Sequence, residues 1–514
     1  MDQFVYIFLL FNNEIIPEEF GVIADFPTIV TFVFYIVAML IVGWLGYRAT
    51  HNLSDYILGG RRLGSVVTAL SAGASDMSGW LLMGLPGAIY FSGLSGAWVA
   101  IGLCLGAWAN WGIVARRLRI YTERCGNAQT LPDYFANRFH DQHSLLRTLT
   151  AVVILVFFTI YCGSGIVAGA RLFESLFGLP YHTAIWIGAF ATIAYVFIGG
   201  FLAVSWTDTI QASLMLIALV MVPAIVFVHL GDVMSSWDTL PTMELSYLDL
   251  FSNLNGVAVV SMLAWGLGYF GQPHILVRFM AAESPHKIPQ ARRIGMTWMI
   301  LCLAGAILVG LLGRLYFAAY PIHAASVAHN AETVFIVLTR ELFNPWLAGV
   351  FLAAILSAVM STLSCQLLVC SSALTEDIYK SLLRRDASQR ELVWVGRAMV
   401  LLVSCVAIVL AWHPESGVLH MVSYAWAGFG AAFGPVVLIS LLWPRMTRNG
   451  ALAGITVGAL TVLVWKQFNW FQLYEIVPGF VFASFAIIVA SLMDKPLSQS
   501  KQVFAEVAQA LNKV

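Results

Sequence analysis

The chain has 514 residues, of which 60% are hydrophobic and 11% charged, with 27 Lys and Arg against 27 Asp and Glu. A soluble domain of this length carries about a quarter charged residues, so the composition excludes an ordinary soluble protein. The net charge of zero carries no information on orientation, whereas the positions of the charges do.

The first 27 residues contain five acidic residues and no Lys or Arg. This distribution suits an extracytoplasmic segment and lacks the positive start of a cleaved signal peptide. The apolar run at residues 4–11 is too short to cross a bilayer. We therefore predict a retained extracytoplasmic segment (1–27), one membrane domain (28–493) and a cytoplasmic tail (494–514).

Thirteen apolar stretches follow, each about 20 residues long, which is the length that crosses a hydrocarbon core as a helix. We number them spans 1 to 13. Their predicted centres are Ala38, Ser78, Gly106, Thr159, Phe190, Met215, Gly266, Ala306, Met360, Leu402, Gly428, Ala459 and Ile487.

Lys and Arg residues set the orientation, because positive side chains are retained on the cytoplasmic side. With the N-terminus outside, all of them fall in cytoplasmic loops or the tail except Arg171, Arg314, Arg340 and Lys466. One missed or invented span would reverse every later loop, so this asymmetry also supports the count. It predicts an external N-terminus and a cytoplasmic C-terminus.

Spans 2 and 7 contain small, flexible and polar residues at mid-membrane depth, at residues 71–80 and 265–274. An unwound backbone is tolerated in lipid only where it lines a cavity or is buried in protein. The two spans are five apart, so spans 2–6 and 7–11 are predicted to be inverted five-helix repeats, with spans 1, 12 and 13 peripheral. This all-α arrangement of broken helices is typical of secondary transporters.

Asp76 lies in the first break. A carboxylate near mid-span costs about 2.5–3.5 kcal/mol on insertion scales, so it usually faces a cavity and binds something. The alternative is a structural acid that caps a half-helix. Asp208, near the predicted start of span 6, is interpreted as an interfacial helix cap rather than a ligand.

Span 9 places Ala358, Ser361 and Thr362 on one helical face. Such residues often serve only close helix packing. Together with unwound carbonyls of Ala74 and Met77, however, they would form the all-oxygen cage that a hard monovalent cation requires. Asp76 would then assist by attracting the cation or holding a second ligand.

Three aromatic residues, Tyr161, Trp265 and Tyr269, lie close to the predicted breaks. Their rings can wall a compact apolar solute or stack against an ammonium group. Packing and interfacial belts are the usual role of membrane aromatics, and only the position beside the breaks favours binding.

Other classes of protein are less favoured. The seven cysteines have no metal-ligand spacing, and the eleven histidines form no arrangement with a nucleophile, which disfavours an enzyme. A tail of about 20 residues is too short for the domain of a sensor. An ion channel and a proton-coupled transporter using Asp76 remain alternatives.

Several motifs are similar to those of the sodium:solute symporter family. The most specific are ASDMSGWLLMGLPG at residues 74–87 and GGFLAVSWTD at 199–208, supported by residues 159–162, 168–171, 265–274, 361–366 and 425–430. The resemblance runs from about residue 28 to 493 and is strongest to the bacterial, proline-transporting branch. It implies a thirteen-helix inverted-repeat transporter in the bacterial inner membrane.

The resemblance also implies roles for individual residues. It assigns sodium to backbone oxygens of Ala74, Met77 and Ala358, to the hydroxyls of Ser361 and Thr362, and to Asp76. It assigns proline to Tyr161, Trp265, Tyr269 and Pro273, with Ser78 and Trp80 beside them. The expected function is sodium-coupled import of L-proline without another cofactor or obligate protein partner; pantothenate, a sugar or choline are alternative solutes.

Overall fold

The computed structural model describes residues 24–231, 245–321, 324–412, 418–468 and 470–513, and this part of the chain is predominantly helical. Most of the predicted external segment, residues 1–23, lies outside the described residues. Three short helices are Leu53–Leu58, Ala324–His329 and Val334–Leu342. The other helices are α1 Phe26–Arg48, α2 Ser65–Asp76, α3 Leu85–Ser92, α4 Trp98–Ala109, α5 Arg116–Arg124, α6 Leu131–Arg138, α7 Leu145–Phe177, α8 Tyr181–His229, α9 Gly256–Leu263, α10 Pro273–Ala281, α11 Ile288–Ala319, α12 Pro345–Ser372, α13 Gln389–Leu410, α14 Val418–Leu442, α15 Arg448–Phe468, α16 Ile476–Met493 and α17 Ser498–Lys513.

Ten helices among the described residues are long and apolar enough to cross a membrane. The three predicted spans that are not among these ten are centred on Ser78, Phe190 and Gly266. Two of them are the interrupted spans, and the third is the first part of α8. The all-helical membrane fold is confirmed, while the count of thirteen stays a prediction.

A glycine divides α8 into two parts. Gly200 has φ 64° and ψ −162°, a backbone conformation that side-chain-bearing residues rarely adopt. A Cβ atom at this position would also lie 2.7 Å from the ring of Tyr56. The turn therefore separates the segments that the sequence predicts as spans 5 and 6.

Both predicted breaks are confirmed. Helix α2 ends at Asp76, Met77 has non-helical φ −85° and ψ 85°, and regular α-helix resumes only at α3, after a π-helical turn at Trp80–Gly84. In span 7, a 3₁₀ segment at Ala264–Gly271 leads to an extended Gln272, with φ −79° and ψ 107°. Pro273 then begins α10, at a helix position where its missing N–H group is tolerated.

Helix α12 forms the centre of the molecule. All side chains from residue 351 to residue 368 are buried, so the predicted hydroxyl ligands lie inside the protein rather than against lipid. In contrast, α1, α15 and α16 bury only 28%, 33% and 33% of their most apolar windows, as expected for helices that face lipid. The predicted division into inverted repeats and peripheral spans stays a prediction.

Spans 3 and 7 touch through their backbones. A Cβ atom on Gly106 would lie 2.1 Å from the carbonyl oxygen of Gly266, and one on Gly266 would lie 2.2 Å from that of Gly102. No larger residue fits without moving one span away from the other. This contact fixes the position of the broken segment of span 7.

Replacement of Gly106 by Val is therefore expected to lower the free energy of unfolding by about 1–3 kcal/mol or more, because the added carbons would overlap backbone atoms. Thermal unfolding of the purified protein in detergent measures the loss. Gly112→Ala, farther along the same span, is the control: the nearest atom to its Cβ would be 3.6 Å away, on the Arg292 side chain. Equal unfolding temperatures for the two variants would contradict the close approach.

The loop before α2 is joined to the end of α10. Leu63 donates its N–H to the Ala281 carbonyl at 3.2 Å, and its own carbonyl accepts the N–H of Glu283 at 2.9 Å. The Arg61 guanidinium donates to the carbonyls of Met280 (2.5 Å) and Ala128 (2.8 Å). Burial, together with the nearby Arg119 charge, lowers the pKa of Arg61 to about 10, so the group stays charged at neutral pH.

Candidate functional site

The break in span 2 frees two backbone carbonyls. In a continuous helix, the N–H groups of Ser78 and Leu81 would bond to the carbonyls of Ala74 and Met77. Here Ser78 donates to Asp76 at 3.1 Å, and Leu81 donates to Ser78 at 3.0 Å. The carbonyls of Ala74 and Met77 are therefore released from the helical pattern, as a cation site would require.

Hydroxyls of α12 meet one of these carbonyls. The Ala74 oxygen accepts hydrogen bonds from Ser361 Oγ (2.8 Å) and Thr362 Oγ1 (3.3 Å). Ser361 Oγ also lies 3.1 Å from the Ala358 carbonyl. Four of the residues that the sequence assigns to sodium thus come together, with oxygens from two different helices.

The Asp76 side chain makes a different contact. Its Oδ2 atom accepts a hydrogen bond from Tyr269 Oη, and the residue is only 2% exposed. Its Oδ1 atom has no hydrogen-bond partner in the described part of the chain. The structure therefore pairs Asp76 with a residue predicted to bind substrate, rather than with the hydroxyls of span 9.

Ser78 and Trp80 hold the backbone of the break. Trp80 donates its indole N–H to the Asp76 carbonyl at 3.3 Å, and its backbone N–H lies 3.5 Å from Ser78 Oγ. Both side chains are buried. These contacts stabilise the unwound turn, and contact with a substrate stays a prediction for both residues.

Trp265 and Tyr269 belong to an aromatic cluster. The ring of Trp265 stacks against those of Tyr474 (5.6 Å between centroids) and Trp426 (6.4 Å). Trp426 meets Tyr269 edge-on at 5.3 Å and donates its indole N–H to the Trp265 carbonyl at 2.7 Å. Reasoning from the breaks alone missed Trp426 and Tyr474, and only the motif at residues 425–430 pointed to Trp426.

Tyr161 and the beginning of α10 contribute buried polar atoms that are unpaired in the described chain. The Tyr161 ring lies 6.2 Å from the His274 ring. Tyr161 Oη, Gln272 Oε1 and both His274 ring nitrogens are buried and lack hydrogen-bond partners in the described chain. Such atoms are available to a polar solute. Pro273, the remaining predicted residue, starts α10 and borders a cavity of about 20 Å³ with Thr130.

The interpretation of Asp208 as an interfacial cap is wrong. The side chain is fully buried, accepts a hydrogen bond from Ser71 Oγ at 2.7 Å, and forms an ion pair with Arg278 at 3.3 Å. The placement of Arg278 in a cytoplasmic loop is also wrong, because it is fully buried within α10 and donates to the His274 carbonyl. Each charge is tolerated at this depth because it compensates the other.

The resemblance to the sodium:solute symporter family implies such an arrangement, with freed carbonyls in one broken helix, hydroxyls that face them and a second broken helix. A family model described as "Sodium:solute symporter family" matches residues 56–458. The chain belongs to the sodium:solute symporter family. As a member of this family it is a transporter rather than an enzyme, and sodium is its implied coupling ion.

Relatives of this symporter extend over nearly its whole length. The sodium/proline symporter of Escherichia coli (strain K12) is 64% identical over 481 residues, which cover 93% of this chain and 96% of the relative. The sodium/proline symporter of Haemophilus influenzae is 57% identical over 494 residues, covering 94% and 98%. With ten apolar helices in the described part of the chain and with bacterial relatives, the symporter is a multi-pass protein of the bacterial inner membrane.

A solved structure of a Na⁺-coupled sialic acid symporter has the same fold. Its TM-score to this chain is 0.76, and the match covers 92% of this chain and 99% of the other. The two sequences are only 18% identical, so the likeness concerns the fold and not the solute.

Proposed function

We propose that this symporter imports L-proline together with sodium by alternating access, with its N-terminus outside and its C-terminus in the cytoplasm. The proposal for the solute is supported by the E. coli and H. influenzae relatives, both named sodium/proline symporters. The observation that carries the sodium site is the contact of Ser361 and Thr362 with the freed Ala74 carbonyl.

In this proposal, sodium binds to oxygens contributed by Ala74, Met77, Ala358, Ser361 and Thr362. Because the oxygens belong to α2, to Met77 directly after it and to α12, the cage is complete only while α2 and α12 stay together. Sodium therefore stabilises one conformation over the other, which is the requirement for coupling. Asp76 assists sodium binding indirectly. Its side chain is held by Tyr269, and its backbone lies between Ala74 and Met77, so it helps to fix the positions of their carbonyls.

The proposed proline site lies beside the second break. Trp265 and Tyr269 supply an aromatic wall for the pyrrolidine ring, and Tyr161 supplies an unpaired hydroxyl. The N–H groups at the start of α10, beside Pro273, suit the carboxylate of the amino acid. Ser78 and Trp80 complete the site from the first break.

The energetic demand on such a carrier is modest. One sodium ion that moves through 100 mV supplies about 2.3 kcal/mol, sufficient for roughly 50-fold accumulation of a neutral solute. A sodium concentration gradient adds to this driving force.

Uptake of labelled proline into vesicles that contain only this protein tests the proposal. We expect accumulation under an imposed inward sodium gradient and none under a proton gradient alone. Accumulation driven by protons alone would instead show proton coupling, for which Asp76 is the candidate proton carrier. Absence of proline uptake under every gradient would refute the proposed solute, and competition by pantothenate, sugars or choline would then identify another.

A further inference from the structure

A small cavity borders Asp76, and no residue of α12 lines it. Its volume is about 20 Å³, and its polar lining residues are Asp76, Asn110 and Tyr269. The rest of the lining is largely apolar and includes Ile275 and Met299. The cavity thus lies where predicted spans 2, 3, 7 and 8 meet.

Asn110 is unusual for its position in span 3. It is only 1% exposed, and neither atom of its side-chain amide has a hydrogen-bond partner in the described part of the chain. It begins a π-helical turn, Asn110–Ala115, directly after α4. Such turns inside longer helices frequently mark functional positions. An amide at this depth is costly unless something binds to it.

Residues that line the cavity carry unpaired atoms that are chemically complementary to one water molecule. Asp76 Oδ1 and Asn110 Oδ1 are acceptors, and Asn110 Nδ2 is a donor. A water molecule can donate to both oxygens and accept from the nitrogen. A cavity needs about 10–15 Å³ and two to four polar partners to hold a water, and this one meets both conditions.

We propose that Asn110 is a positioning residue for Asp76 and that it acts through one water molecule bound in this cavity. The inference rests on the proposed function, in which Asp76 serves sodium coupling. Tyr269 of span 7 holds Oδ2 of the carboxylate, and Asn110 of span 3 holds Oδ1 through the water. The unwound turn is thereby fixed from one side, while its Ala74 carbonyl faces the hydroxyls of α12 on the other.

Two substitutions of Asn110, one that fills the cavity and one that enlarges it, distinguish a positioning role from a packing role. Asn110→Leu keeps the branched shape of the Asn side chain and fills the cavity with carbon, which expels the water, whereas Asn110→Ala leaves room for water. If Asn110 only packs, Leu should be the milder change, because Ala would leave a void in the protein interior. If it positions Asp76 through water, Leu should be the more harmful.

We expect Asn110→Leu to raise the sodium concentration that gives half-maximal proline uptake by about tenfold, the effect of losing one hydrogen bond to a charged group. Asn110→Ala should raise it less, and Asn110→Ser, which restores a donor and an acceptor, should stay within about twofold of the native protein. The maximal rate at saturating sodium should change little. Uptake is measured in reconstituted vesicles over a range of sodium concentrations.

Thr150→Val is the matched control, because among the described residues its buried hydroxyl bonds only to the Leu146 carbonyl of its own helix. A smaller effect of Leu than of Ala, or unchanged sodium dependence in both, would overturn the inference. If the Leu variant does not fold, the Ala and Ser variants are compared instead. A sodium concentration for half-maximal uptake that is no lower in Asn110→Ser than in Asn110→Ala would then contradict the role of Asn110. Absence of sodium-driven uptake by the native protein would refute the proposed function itself.

Discussion

Replacement of Arg278 by Leu is expected to destabilise the protein by about 3–5 kcal/mol, the usual cost of leaving one charge of a buried pair without its partner. Arg278 and Asp208 are both fully buried, and Arg278 also donates to Ser71 Oγ at 3.1 Å. The substitution therefore leaves an uncompensated carboxylate between α2, α8 and α10. The decrease in thermal stability of the purified protein measures the effect.

A double substitution separates the charge from the packing. Arg278→Leu combined with Asp208→Leu removes both charges and should recover much of the lost stability, because apolar residues often replace a buried ion pair without net cost. Arg171→Leu is the surface control: its pair with Glu174 is about 40% exposed and contributes roughly 0–1 kcal/mol. A double variant no more stable than Arg278→Leu alone would contradict this account.

The second large effect is expected from Thr362→Val, which keeps the shape of the side chain but replaces its hydroxyl. The proposed sodium ion loses one oxygen ligand, and the Ala74 carbonyl loses a hydrogen bond. The sodium concentration for half-maximal uptake should rise about tenfold or more, the value for a lost interaction with a charged group. Combination with Ser361→Ala should raise it further.

Proline uptake as a function of sodium concentration tests this second expectation. Ser372→Ala is the control on the same helix, because within the part of the chain that the structure describes the Ser372 hydroxyl bonds only to the Leu368 carbonyl one turn earlier. Sodium dependence that stays native in Thr362→Val would exclude this hydroxyl from the site. An equal change in Ser372→Ala would point to a general effect on α12.

The breaks were predictable from sequence because their cause is local. Residues 71–80 and 265–274 combine small, flexible and polar residues inside apolar stretches, and the structure interrupts both helices there. The contact between Ala74 and the α12 hydroxyls was also predicted, but through cation chemistry and family resemblance. Helix periodicity gives the face of Ser361 and Thr362 and does not specify which span they meet.

The errors came from contacts between residues distant in sequence. Arg278 follows Asp208 by 70 residues, and nothing in either local sequence shows that they form a buried pair. Arg278 was therefore counted with a loop, and Asp208 was placed at an interface. Asn110 was passed over, although a lone amide between apolar residues 98–109 and 111–115 was a visible signal.

The pairing of Leu63 with the end of α10 also bears on how the transporter changes conformation. It joins the start of the first broken span to the end of the second, and Arg61 reinforces the joint. We therefore expect the two broken helices to move together when the transporter changes conformation. A movement of one broken helix without the other would have to break these backbone hydrogen bonds.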